Sequence, residues 1–548
     1  KQRILICSSF YPPYFIGGAE LIAHYQAREF TRQGHEVEVF AGTMEPMGPR
    51  YSLHTENYDG VKVHRVVLAA GDFDASRENF HKREVEDLFQ KILQEFQPNV
   101  VHCHNLIGLT TGLLRMAKKS GSIVVLTVHD HWGFCHKNIM GKKPGDICED
   151  IFNCQDCMPE IVLENGLQMP TSLRQSYLYY QLEVVDAFIS PSRYLANTYL
   201  RAGFPAARMQ VVWYGIDTDK FGAIVKKPDP DRCRFTFIGH FGRHKGIYVL
   251  LEALLHVPER NRFLLNLVGD GEERQNVEQF VSEHGLQDRV KLKGKIDNAQ
   301  IADIMAETDV LVLPSIWPEN QPVSITEAMA SSIPVIASDA GGIPELIADG
   351  QSGFLFELGN SAQLAEKMWY FIKNPEMIQQ FGESARQRIA ERSFSNQVLR
   401  LLNVYDNCQD DVAEGTSEAP LVVLDLHEEE ELDRVARTFF RKTYPRFDSP
   451  RFIYGQWLSE EDLAKASFVL FTSASSGADR ARRYLQSRLP ILVPGSSKHL
   501  VNMCYEGNCG LHYASIEELE ACIQLLVDNP EICRQLGANG SAFAGSLQ

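Results

Sequence analysis

Short apolar, β-branched runs recur along this chain, each followed by an amphipathic stretch of helical length, and that alternation limits its fold more than any other feature. Strands buried on both faces read as continuous apolar runs, and parallel pairing requires a long crossover that is usually a helix. The first series comprises Ile4–Cys7, Val37–Ala41, Val61–Val66, Val100–Cys103, Ile123–Val128 and Phe188–Ser190, and closes at Val211–Ile216. Gly215-Ile-Asp217 and Pro228-Asp-Pro230 then bracket a turn-rich passage suited to a hinge. A second series runs through Phe235–Ile238, Leu264–Val268, Val290–Leu292, Val310–Leu313 and Val335–Ile336. The expected fold class is α/β, with two Rossmann-like doubly wound domains at residues 1–222 and 223–393.

A chain of 548 residues has room for three or four such domains. Its formal charge of −17 opposes broad nucleic-acid binding, because an acidic surface repels phosphate backbones. No apolar run approaches the roughly 18 to 20 residues that span a bilayer, and the first strand follows the first residue too closely for a signal peptide. A cytoplasmic setting is expected, with the twelve cysteines reduced.

Residues 409–420 are acidic and aperiodic, and read as a linker to a third domain at 421–548. Residues from about 420 to 545 echo 264 to 390, which predicts a degenerate internal repeat of the second domain. Ile336–Phe354 aligns without gaps on Val493–Leu511, keeping Gly350/Gly507 and Gly353/Gly510, and NPEMIQQFG matches NPEICRQLG downstream.

The loop after Val310–Leu313 reads Pro318-Glu319-Asn320-Gln321-Pro322-Val323-Ser324-Ile325-Thr326-Glu327-Ala328 and feeds a helix. Ligands bind at this edge of a parallel sheet, and free amides at a helix start hold anions such as phosphate. Glu319 in the loop and Glu327 in the helix can address two parts of one extended, hydroxyl-bearing ligand. With Trp317-Pro-Glu-Asn-Gln-Pro, Glu327-Ala-Met-Ala and Ile333-Pro-Val-Ile-Ala-Ser-Asp-Ala-Gly-Gly-Ile-Pro-Glu345 around them, these acids resemble the E-x7-E signature of family-four retaining glycosyltransferases of the GT-B fold.

The resemblance covers about residues 1–408 and implies a nucleotide-sugar donor bound by 223–393 and an acceptor bound by 1–222, with 394–408 crossing back to the first domain. It implies that Glu319 contacts the hydroxyls of the donor sugar and Glu327 the ribose, with Asn320, Gln321, Val323 and Ser324 lining the donor site and base contacts near Lys295 and Ile296. Gly17 and Gly18, in the first strand-to-helix turn, let backbone approach phosphate or acceptor. Lys245 aligns with a lysine that neutralises the departing diphosphate. His240 stands where the family commonly has arginine, so Arg243 is expected to share the phosphate clamp. His129 resembles a histidine beside the transferred sugar; His102 and His104 are weaker candidates, and Tyr214 replaces a usual asparagine.

Cys135, Cys148, Cys154 and Cys157 lie in an insertion at about 132–170. Four thiolates can hold structural zinc, but only one pair has close metal-type spacing, so reduced, packed thiols are the favoured reading and no cofactor is required. The D-x-D triplets at Asp72, Asp217 and Asp229 each have a local explanation, which leaves no case for catalytic metal. The family's common setting, polysaccharide or glycolipid synthesis, implies a glycan or lipid-linked acceptor and peripheral contact with a membrane. The third domain, with Ser475 and Arg483 facing the Glu319 and Glu327 positions, is expected to be non-catalytic and to serve homodimerisation, acceptor docking or stabilisation. A non-catalytic GT-B-like binding module, supported by His240, and a nucleotide-sugar epimerase or phosphorylase are the alternatives.

Overall fold

The computed structural model describes residues 1–15, 17–143, 146–148, 154–163, 166–227, 229–258, 262–409, 421–425, 451–454, 466–471, 478–527 and 529–546. Most of the linker, Ser475 and Pro228 lie outside the described residues. Two compact units are distinguished, residues 1–168 with 181–412, and 169–180 with 413–548.

The first unit begins with β1 (Arg3–Ser8), β2 (Glu36–Thr43), β3 (Leu53–Tyr58), β4 (Val61–Val67), β5 (Val100–Cys103) and β6 (Ile123–Thr127). An insertion follows with β7 (Gly141–Lys143) paired to β8 (Asp146–Ile147), then the short strands β9 (Glu160–Val162) and β10 (Gln168–Pro170), the latter falling mostly in the second unit, before β11 (Ala187–Ser190) and β12 (Met209–Val211). Eight strands form one sheet in the order β12-β11-β6-β5-β1-β2-β4-β3, parallel except for β3 against β4. Chain order reverses at β1 and β5, so a crevice opens at their carboxyl ends. Two expectations change here. β3, polar and half exposed, carries no apolar run to announce it. The closing strand ends at Val211, and the residues after it run beside the return crossing, where Ile216 N donates to Arg392 O (2.8 Å).

The second domain contributes β13 (Cys233–Ile238), β14 (Phe263–Val268), β15 (Val290–Gly294), β16 (Val310–Leu313), β17 (Val335–Ser338) and β18 (Gly353–Phe356), all parallel in the order β15-β14-β13-β16-β17-β18. Its switch point lies between β13 and β16. β18 was not expected, because it opens on glycine and only Phe354, Leu355 and Phe356 follow before the chain turns polar. The helix Phe394–Gln409 then places Val398, Leu401 and Tyr405 in the first domain's core beside Ile4, Ile6 and Phe30. Crossing and return run together: a Cβ on Gly215 would fall 2.7 Å from Phe394 Cα.

In the second unit β19 (Leu421–Asp425), β20 (Arg451–Tyr454), β21 (Phe468–Phe471), β22 (Ile491–Pro494) and β23 (Gly510–Tyr513) form a parallel sheet ordered β20-β19-β21-β22-β23. Several local contacts match those of the second domain. Gly353 and Gly510 pair so closely that a Cβ would lie 2.1 Å from Val335 O and 2.0 Å from Ile491 O. Gly382 lies against Ser332 (φ 55°) and Gly537 against Arg488 (φ 60°), both left-handed non-glycine residues, with hypothetical Cβ contacts of 2.1 and 1.8 Å to their carbonyl oxygens.

Gly382 sits inside the helix Glu376–Ile389, where alanine ordinarily gains about 1 kcal/mol over glycine. Here the contact with Ser332 O reverses the sign, and Gly382→Ala is expected to destabilise by about 1–3 kcal/mol. A lowered denaturation midpoint checks this; an unchanged or raised one contradicts the close approach.

Candidate active site

Both loops leaving the β13/β16 switch point carry charge, and the fold presses them together. Gly246 adopts φ 70°, and a Cβ there would stand 1.7 Å from Pro314 O, so the turn Arg243–Lys245 lies directly on the chain leaving β16. This brings Lys245 Nζ to 2.7 Å from Glu319 Oε1, which also accepts the Ser315 hydroxyl at 2.8 Å. Burial alone pushes the Glu319 carboxyl up, but the Lys245 ammonium and the two hydrogen bonds outweigh it and hold the group below its ordinary value. From behind, Gly342 N donates to Glu319 O at 2.6 Å, and Gly341, at φ 64°, leaves no room for a Cβ beside that carbonyl.

Past Glu319 the chain enters the helix Val323–Ala330, whose first amides have no intrahelical acceptor. Gly18 reaches this helix start from the first domain; a Cβ on it would be 3.2 Å from Val323 Cγ2. The Gly17 amide is taken by Glu20 Oε2 at 3.0 Å, closing the turn that carries both glycines. Glu327 follows about one turn into the helix. Its carboxyl receives no hydrogen bond from any described residue, and burial pushes it up to about 7, opposed only by Lys220. Nearby, Asn298 Nδ2 donates to Tyr25 Oη at 2.5 Å, so the loop containing Ile296 reaches the first domain's helix. Sequence reasoning missed Ser315, Glu20, Tyr25 and Asn298; position at a strand end was the available signal for Ser315.

Asn320 and Gln321 turn their side chains elsewhere. Asn320 Nδ2 donates to His129 O (2.8 Å), and the Gln321 carboxamide takes both the amide and the carbonyl of Tyr214 (3.0 and 3.3 Å). Both therefore join the two domains; the Gln321 carboxamide is fully engaged there, whereas Asn320 Oδ1 is buried with no partner among the described residues. Glu345 also joins the domains, accepting Arg193 N and Tyr194 N at 2.9 and 2.8 Å at the start of the helix Arg193–Arg201. Arg243 is not drawn into the lysine–glutamate pair: its Nε binds Glu273 Oε1 at 2.8 Å, and the exposed His240 binds Glu272 at 2.6 Å. Asp72 is buried on Arg50 and Tyr51, Asp217 caps the helix Thr218–Gly222, and Asp229 pairs with Arg232.

His129 leaves the end of β6 with both ring nitrogens engaged. Nε2 lies 2.8 Å from His104 Nδ1, and Nδ1 lies 2.6 Å from the Tyr214 hydroxyl. The resemblance placed His129 beside the transferred sugar; in the unliganded fold both its ring nitrogens face protein side chains. Burial drives the pKa of His129 down to about 3, so the ring is neutral, and pushes its neighbour Asp130 up to about 7. The four insertion cysteines are half-buried, and among the described residues no group of histidine, cysteine or acidic side chains is arranged to hold a metal.

Two doubly wound domains with an acid–lysine pair and a helix start at the switch point define a class, the GT-B glycosyltransferases. The family model described as Glycosyl transferases group 1 matches residues 223–388, and that described as Glycosyltransferase Family 4 matches residues 16–220. An uncharacterized glycosyltransferase of Methanocaldococcus jannaschii is 32% identical over 321 residues, covering 57% of this chain and 85% of that protein. The N-acetyl-alpha-D-glucosaminyl L-malate synthase of Bacillus anthracis is 32% identical over 176 residues, 32% of this chain and 45% of the synthase. Among solved structures, the sucrose-phosphate synthase of Thermosynechococcus elongatus aligns with TM-score 0.56 at 20% identity over 75% of this chain and 100% of that one. Anabaena HepE in complex with UDP aligns with TM-score 0.53 at 19% identity over 74% of this chain and 100% of its own. The chain belongs to the group 1, family 4 glycosyltransferases.

Because Glu327 binds its proton more tightly when folded than its ordinary carboxylate value of 4.5 allows, the fold is favoured at low pH and loses stability as pH rises from about 4.5 towards 7. The loss is on the order of 3 kcal/mol. Glu327→Gln should remove it, so the variant's denaturation midpoint rises relative to the native chain between about pH 5 and pH 8. A constant difference across that window counts against a buried, strained carboxyl.

Proposed function

We propose that the protein transfers a glycosyl group from a nucleoside-diphosphate sugar to a hydroxyl of a glycan or lipid-linked acceptor, with retention at the anomeric carbon and without a metal ion. The observation that carries this reading is the Lys245–Glu319 pair beside the free amides of Val323 and Ser324, a cation and a dipole end placed to receive a diphosphate. Solved neighbours crystallised with UDP and with UDP-glucose support a nucleotide-sugar donor.

In this mechanism the ionised Glu319 accepts hydroxyls of the donor sugar, and Glu327, ionised on binding, takes the ribose diol. The Lys245 ammonium has three donors, so it can keep Glu319 while reaching a phosphate oxygen. As the anomeric carbon–oxygen bond breaks, its electron pair stays on the leaving phosphate, which Lys245 and the helix amides stabilise. The acceptor oxygen bonds to the same face of that carbon, and its proton passes to the leaving phosphate oxygen. No covalent sugar–enzyme intermediate enters.

The region 421–548 is proposed to be a degenerate copy of the second domain, supported by the matched glycine contacts at Gly353/Gly510 and Gly382/Gly537. It serves acceptor docking, dimerisation or stabilisation, with peripheral membrane contact following if the acceptor is lipid-linked. Arg483 in place of an acid gives it no ribose acceptor.

A panel of nucleotide sugars, assayed for donor turnover, tests the reading. Glu319→Gln and Glu327→Gln are each expected to lose at least about a hundredfold in kcat/KM. Near-native turnover in both rejects the site, and a native chain that binds nucleotide without turning over any donor favours the binding-module alternative.

A further inference from the structure

Two buried imidazoles, His102 and His104, and one half-buried, His129, stand in one stack beneath the first domain's switch point. Ring centroids are 4.7 Å apart for His102 and His104, and 5.0 Å apart for His104 and His129. Two of the rings are saturated: His102 lies between the Tyr405 hydroxyl and Thr127 Oγ1, each at 2.7 Å, and His129 lies between His104 and Tyr214. His104 differs. Its Nδ1 meets His129, but its Nε2 is buried and has no partner among the described residues, and the residue is 1% exposed. Buried polar atoms in native proteins are almost always met, so an unmet one asks what completes it.

Its position suggests the answer. His104 follows β5 directly, and β5 neighbours β1, whose exit loop carries Gly17 and Gly18; this is the crevice where parallel sheets bind ligands. Asn105, the next residue, accepts the Ser9 amide at 2.6 Å and donates to Asp130 at 3.2 Å, knitting the two loops and the His129 loop together. Either direction of the hydrogen-bond chain ends at the same atom. If the Tyr214 hydroxyl donates to His129, then His129 donates to His104 and leaves Nε2–H as a donor; the reverse chain leaves an Nε2 lone pair. Burial lowers the pKa of both rings and raises that of the Tyr214 phenol, so the chain is uncharged.

We propose that His104 Nε2 contacts the substrate, hydrogen-bonding the acceptor hydroxyl as it approaches the anomeric carbon, and that His129 and Tyr214 fix its tautomer without meeting substrate. The donor sheet's own switch point carries Lys245 and Glu319, which leaves the facing crevice of the first domain for the acceptor. This assignment rests on the glycosyl-transfer reading above.

The test compares His104→Gln, whose amide overlays Nε2, with His104→Asn, whose amide overlays Nδ1. Hydrolysis of UDP-glucose, UDP-N-acetylglucosamine, ADP-glucose and GDP-mannose is the readout, with water in the acceptor's place, beside thermal melting. The Asn variant is expected to lose about tenfold or more in kcat with KM for the donor held, and the Gln variant to retain more. A purely structural role, bridging to His129 through Nδ1, gives the opposite order. The assignment is overturned if Asn equals or exceeds Gln, or if the loss falls on KM. Native turnover lost in Glu327→Gln but kept in His104→Asn overturns this inference alone; no native turnover of any donor removes both.

Discussion

The Lys245–Glu319 ion pair is the contact on which the proposed donor side depends. It joins the two loops that diverge from the switch point of the second sheet, and both side chains are largely withdrawn from water, with 24% and 11% of their surface exposed. Such a pair adds little net stability, but losing one partner strands a buried charge, at a cost of about 3–5 kcal/mol. The backbone is shaped to keep it: Gly246 admits Pro314 O, while Gly341 and Gly342 admit the carbonyls of Glu319 and Asn320. Glycine is needed at each of these places because a Cβ would separate the loops.

Eight positions apart on one segment, Glu319 and Glu327 meet opposite environments. Lysine and serine keep the first charged; burial without a partner holds the proton on the second. A ligand that brought hydroxyl donors to Glu327 would relieve its strain, so binding energy and carboxylate ionisation are coupled there. Around them Asn320 and Gln321 make cross-domain contacts from the loop that carries Glu319, and Glu345 makes them from the short helix Ile343–Leu346, which ties the joining of the domains to the position of the Lys245–Glu319 pair.

Sequence reasoning read the parallel strands well because central strands such as β6 and β16 are apolar runs, and it missed β3 and β18 because the first is polar and half exposed and the second opens on glycine. Spacing and neighbouring residues singled out Glu319 and Glu327, the family resemblance singled out Lys245, and the structure brings Lys245 onto Glu319. What pairwise spacing cannot encode is which partner a side chain finds. Arg243 was drawn to Glu273, thirty positions on in sequence, and Gln321 to the Tyr214 backbone, 107 positions away. His129 drew notice as a strand-end histidine, while His104, which holds its ring nitrogen, ranked lower because nothing in a linear sequence shows two strand ends meeting.

A crystal structure with bound UDP tests the central claim most directly. The account predicts the diphosphate beside Lys245 Nζ and the amides of Val323 and Ser324, with the ribose hydroxyls on Glu327. A nucleotide seated elsewhere, leaving Glu327 without a hydroxyl partner and Lys245 bound to Glu319 alone, would contradict it.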